Sequence, residues 1–102
     1  MKGMNMKASW RTVQLFISSQ GAGVFEVEVD TDSKDVRCNC PVFTKNTFCK
    51  HTSFVENKMR YNNGNYSILV PSEISEDIAI DASEDPVKFR EFVVKYAKVE
   101  VI

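Results

Sequence analysis

The chain has 102 residues, 43% hydrophobic and 26% charged, with a net charge of −1. This is enough for one domain with a modest core, of ordinary globular composition, and the overall balance gives no pull toward nucleic acid. No apolar run approaches the roughly 18–20 residues of a membrane span.

The opening stretch MKGMNMKASWRTVQ lacks the apolar core of a secretory signal, so a reducing, cytoplasmic compartment is expected. There, three cysteines, an odd count, fit a disulfide framework poorly and thiolate–metal binding well. Charge is unevenly distributed. Residues 34–60 carry six basic residues (Lys34, Arg37, Lys45, Lys50, Lys58, Arg60) against Asp35 and Glu56, while residues 71–85 carry six acids and no base. The basic excess is compatible with phosphate contact. It is equally compatible with a solvated surface, or with a basic face covered by the molecule's own acidic arm.

In chain order, residues 1–7 are polar and read as a frayed end. SWRTVQLFISS (9–19) reads as a strand with Val13, Leu15 and Ile17 on one side, and QGAG (20–23) as a turn. VFEVEVDTD (24–32) alternates Phe25, Val27 and Val29 against Glu26, Glu28 and Asp30. The two strands predict a hairpin. VRCNC (36–40) starts extended, and Pro41 stops any ladder. PVFTKNTF is expected to be a loop.

Residues 49–62 read as a helix with Phe48, Thr52, Val55 and Met59 in a stripe, ended by NNG with Gly64 in the left-handed C-terminal position. NYSILVP (65–71) reads as a short strand, while 72–83 is ambiguous. Residues 83–98 read as a helix capped by Asp85 with Pro86 first and an apolar face of Phe89, Phe92, Val93 and Tyr96. VEVI (99–102) is expected to return as an edge strand. The order predicts an α+β single domain over 1–102, a β-hairpin followed by a ββα-like finger, a short strand and a C-terminal helix.

All three cysteines and the single histidine fall within VRCNCPVFTKNTFCKH (36–51). The pattern is C-x-C, eight residues, then C-x-H. Three soft thiolates and one imidazole are the ligand set of a closed, four-coordinate structural Zn²⁺ site, with Cys38, Cys40, Cys49 and His51 as ligands. Cys49 and His51, two apart, cannot share a regular helical face. One of them is therefore expected before the first full turn, with the helix N-terminus aimed at the thiolates. The rival readings have less behind them. A thioredoxin-type pair wants C-x-x-C near a βαβ unit. A Cys49 nucleophile with His51 as base leaves two cysteines surplus and no oxyanion device visible. Four unconnected core residues would not pair as C-x-C and C-x-H.

CNCPVFTKNTFCKH resembles the SWIM zinc finger, whose signature is C-x-C, a variable spacer and C-x-H, entered by a strand and left by a helix. The resemblance covers about residues 24–62, and residues 65–102 match no family pattern. It implies that Cys38, Cys40, Cys49 and His51 hold zinc and that the finger is a DNA-binding or protein-interaction module with no catalysis of its own. The family's large ATPase and transposase members carry further domains with no expected counterpart in these 102 residues, so their activities do not transfer.

The expected function is therefore a protein-interaction adaptor with structural zinc and a protein partner. The alternative is a nucleic-acid-binding (DNA) module. No catalytic set, small-molecule substrate or membrane contact is expected. Candidate partner or nucleic-acid contacts are Phe43 and Lys45 between the ligand pairs, and Lys50, Lys58 and Arg60 on the following helix. Aromatics interleaved with lysines can stack on exposed bases, but Phe48 and Phe54 are expected to pack the small core beside the metal.

Overall fold

The structure is a computed structural model that describes residues 9–21 and 23–102. The expected frayed end at 1–7 and Ala22 of the QGAG turn lie outside them. The chain forms β1 (Trp10–Ile17), β2 (Val24–Asp30), β3 (Val36–Cys38), α1 (Pro41–Asn46), α2 (Lys50–Arg60), α3 (Glu76–Ala82), α4 (Pro86–Tyr96) and β4 (Glu100–Val101). The α+β expectation holds.

β1 and β2 make the expected antiparallel hairpin, closed by Ser18 N–H on the Gly23 carbonyl at 2.9 Å. Gly23 has φ +134°, which only glycine adopts without strain. β3 adds antiparallel to β2, pairing Cys38 with Val27. β4 adds parallel to β1 at the far edge, pairing Phe16 with Glu100. The four-stranded mixed sheet has the order β3-β2-β1-β4. One face carries Phe16, Val27 and Val29, and Val55 and Met59 of α2 bury against them in one cluster. Side chains alternate along a strand, so Glu26 points to the opposite face. There Arg90 of α4 meets it at 2.9 Å.

The hairpin's inner face differs from the expected one. The register of β1 against β2 shifts between Thr12 and Gln14, a bulge at Val13. A bulge adds one residue and flips the rest of the strand to the other side. Val13 and Phe16 are therefore core, whereas Leu15 is half-buried and Ile17 is 41% exposed. Buried Gln14 becomes a polar tie. Its Nε2 donates to the Lys98 carbonyl at 2.7 Å, and its Oε1 accepts from Tyr66 Oη–H at 2.8 Å. Burial pushes the Tyr66 phenol up to about 12, so it stays a donor.

Three further expectations change. PVFTKNTF is not a loop: Pro41, just past the end of β3 at Cys38, opens α1 from its first position, where its missing N–H costs nothing. The ambiguous 72–83 contains α3. Residues 65–70 are not a strand. They join no ladder among the described residues and are held by Tyr66 and by Lys98 N–H on the Leu69 carbonyl. The helix expected over 83–98 forms as predicted, with Asp85 accepting from Lys88 N–H at 2.9 Å and with Phe92 and Val93 buried. VEVI returns as β4, and Gly64 adopts φ +83° after α2.

The Glu26–Arg90 pair fastens α4 to the sheet. The Arg90 hydrogen bond, against opposing burial and helped by Thr12, holds the Glu26 carboxyl below its usual range. Its stabilisation is thus fully present above about pH 4.5, the ordinary carboxylate value, and fades as pH falls through the lowered one. Arg90 is 54% exposed, so solvent screens the pair. Arg90→Ala is expected to cost no more than about 1 kcal/mol in urea unfolding at neutral pH.

Candidate metal centre

Each ligand is placed by a different device. Cys38 ends β3, and its pairing with Val27 turns the sulfur to the core face. Cys40 is the N-cap of α1, its sulfur accepting from Phe43 N–H at 3.4 Å. Cys49 is the N-cap of α2 in a reciprocal capping box. Its sulfur accepts from Thr52 N–H at 3.4 Å, and Thr52 Oγ1 accepts from Cys49 N–H at 3.1 Å. His51 lies one residue inside α2 and reaches back over the same end. The expectation that one of Cys49 and His51 precedes the first turn holds, with Cys49 outside. Two helix N-termini therefore donate backbone N–H groups to sulfur.

The four ligand atoms lie within 4.8 Å of one another, and all four residues are at most 5% exposed. None of the cysteines is disulfide-bonded. His51 Nδ1 sits 3.7 Å from both Cys38 Sγ and Cys49 Sγ. The imidazole is held by Phe16 and Phe25, with ring centroids at 4.9 and 5.5 Å. Its other nitrogen, Nε2, is buried with no hydrogen-bond partner among the described residues. The ring is thus fixed by packing, where most metal-binding histidines are fixed by an outer hydrogen bond. The group can hold a metal ion in a buried, four-ligand shell, with Nδ1 as the nitrogen that faces the sulfurs.

The titration of the ligands fits that role. Burial, with smaller contributions from the neighbouring cysteines, pushes the Cys38 thiol up to about 12 when no cation is present. For Cys49, burial is outweighed by the Thr52 and His51 bonds, and the thiol is lowered. Burial, then the charge of Lys50, lowers His51 and keeps it neutral and ready to ligate. Cys38 holds its proton at neutral pH, so a metal must displace it. Metal affinity is expected to rise as pH increases through neutrality, by about tenfold per pH unit for each proton released. Calorimetry in buffers of different ionisation enthalpy counts those protons, and a count of zero would contradict a thiolate shell.

The candidate contact residues fare differently. Lys50, Lys58 and Arg60 lie on the exposed side of α2, interleaved with Phe54 and Tyr61, and Lys58 Nζ stands 5.1 Å from the Phe54 ring centre. Lys45 is exposed on α1, while Phe43 is half-buried against the core cluster. Phe48 is not core. It is 66% exposed, because it lies one residue before the α2 cap and falls outside the helical stripe of Thr52, Val55 and Met59. Phe54 does pack against the core. The acidic arm does not cover the basic face: no ion pair among the described residues joins 71–85 to 34–60.

Sequence reasoning missed the roles of Phe16, Phe25 and Thr52. The signal for Thr52 was present, as a cap residue followed three positions later by a hydroxyl, but with sulfur in place of the usual oxygen.

No family model matches the chain, and no curated protein or solved structure is similar to it. The likeness to the SWIM finger rests on the C-x-C…C-x-H pattern itself.

Proposed function

We propose that this chain is a SWIM-type zinc module that serves as a protein-interaction adaptor, with the ion holding the fold and taking no part in chemistry. The observation that carries the reading is the buried Cys38–Cys40–Cys49–His51 group. Zinc bonds of about 2.3 Å to sulfur and about 2.0–2.1 Å to nitrogen, at the tetrahedral angle, set sulfur and nitrogen about 3.5–3.6 Å apart. The 3.7 Å separations from His51 Nδ1 to two sulfurs match that spacing. Four protein ligands close the shell, whereas a catalytic zinc keeps a position open.

The adaptor role draws on the surface above the ligands. An open groove of about 510 Å³ lies there, walled by Phe25, Pro41 and Val42 and floored by Cys40, Cys49 and His51. No carboxylate lines it among the described residues, and its one imidazole, His51, is taken up as a ligand in this reading, so no general base is left for a bound substrate. Val42 and Phe48 stay exposed on the same finger. The apolar wall of Phe25, Pro41 and Val42 suits an apolar segment of a partner.

The test is affinity capture from the native host with nucleic acid digested in half the sample. A partner retained by the native chain in both halves, and lost with Val42→Asp, is the expected result. The second reading, nucleic-acid binding, is favoured by Lys50, Lys58 and Tyr61 along α2. It requires oligonucleotide affinity that falls steeply with salt, and capture that nuclease abolishes would give it preference.

A further inference from the structure

The outer side of α2 leads to a second groove, of about 470 Å³, walled by Lys58, Tyr61, Tyr66 and Leu69. It is amphipathic. Tyr61 is 85% exposed and Leu69 is also exposed. Lys58 and Arg60 stand beside it with no carboxylate partner among the described residues, and Arg60 bonds only to Asn57 of its own helix, at 2.8 Å. Glu100, the single acid in its wall, already pairs with Lys98 at 3.7 Å.

The complement of this groove is present on the same chain. α3 exposes Glu76, Asp77 and Asp81, none of them in an ion pair among the described residues, around Ile80, which is 64% exposed. The molecule does not bring α3 onto its own α2, so neither surface is covered by the other among the described residues. A net charge of −1 leaves little repulsion between two copies.

We propose that the α2 groove takes the α3 segment of a second copy of this chain. Ile80 enters between Tyr61 and Leu69, and Asp77 and Asp81 face Lys58 and Arg60. This goes beyond the adaptor reading, because it concerns a different surface and needs no foreign partner. If each copy offers both surfaces to the same partner, the contact closes as a two-fold dimer; if not, it continues head to tail.

Sedimentation of the metal-loaded full chain tests it. Association is expected at about 20 mM salt and is expected to weaken at least tenfold at about 500 mM, where screening shortens from tens of ångströms to a few. Lys58→Glu with Arg60→Glu, and separately Asp77→Lys with Asp81→Lys, should each leave a monomer. An equimolar mixture of the two variants should associate again, because one then carries acid on both surfaces and the other base on both. All four positions are exposed, and unchanged metal content and circular dichroism verify the variants. The salt series on the native chain needs no variant. A native chain that stays monomeric at low salt overturns the proposal, as does association indifferent to either pair, or a mixture that stays monomeric. A monomeric chain that binds a single-stranded oligonucleotide through Lys58 and Arg60 gives the face to nucleic acid instead.

Discussion

Removing the metal is expected to abolish the cooperative fold as a whole, beyond the finger at 36–62. Cys38, Cys40 and Cys49 are members of the same buried cluster as Val13, Phe16, Val27, Val29, Val55 and Met59. The candidate metal centre is therefore continuous with the hydrophobic core. Without a cation, buried thiols crowd an imidazole whose ring is wedged between Phe16 and Phe25 of the hairpin, so loss of the centre is felt in β1 and β2. Structural zinc contributes about 10–16 kcal/mol in finger peptides, and a whole domain is stable by only about 5–15 kcal/mol. If the bound ion is zinc, its loss is expected to outweigh what the remaining core supplies.

Cys49→Ser separates coordination from capping. Serine is itself a good N-cap, so the Thr52 exchange at the start of α2 survives while one thiolate is lost. The variant is expected to behave as the chelated protein does. Thr52→Ala, which keeps all four ligands and removes the cap partner, should cost only about 1–2 kcal/mol. Far-UV circular dichroism and hydrogen exchange check both. A chelated chain with an unchanged spectrum and intact protection in β1 would refute a structural metal.

What the sequence disclosed, and what it hid, divides along physical lines. The convergence of Cys38, Cys40, Cys49 and His51 was legible because C-x-C and C-x-H spacing limits which atoms can meet without knowledge of the fold. α4 was legible because Asp85, Pro86 and the Phe89–Phe92–Val93–Tyr96 stripe all favour one outcome locally. α1 was not: its cap is a sulfur, outside the usual Ser, Thr, Asp and Asn set, and Pro41 signals a strand end and a helix start with the same letter. The segment 65–70 looked like a strand because its composition suits one, yet strand formation depends on a free neighbour. β4 occupies the sheet edge beside Phe16 and Ile17, and Tyr66 and Leu69 are bonded elsewhere. The grooves were also out of reach, since they join side chains from separate elements, such as Lys58 with Leu69.

Phe16→Ala and Ile17→Ala are expected to differ widely, and the difference tests the bulge. Simple alternation from Val13 places Ile17 inward and Phe16 outward. The register shift between Thr12 and Gln14 reverses this. Phe16 is fully buried, packed edge-on to Phe54 at 5.3 Å and against His51 at 4.9 Å, whereas Ile17 is 41% exposed. Truncating a buried phenylalanine costs about 3–5 kcal/mol through lost transfer energy and the cavity left behind. Truncating the partly exposed isoleucine should cost about 1 kcal/mol or less. In thermal unfolding of the metal-loaded chain, each kcal/mol moves the midpoint by about 4–8 °C for a domain near this size, so the two variants are readily separated. Phe16→Ala should also weaken metal binding, because the His51 ring has no outer hydrogen bond among the described residues and depends on its neighbours for orientation. Equal costs at the two positions, or a larger cost at Ile17, would mean that β1 runs without the bulge and that His51 is oriented by something other than Phe16.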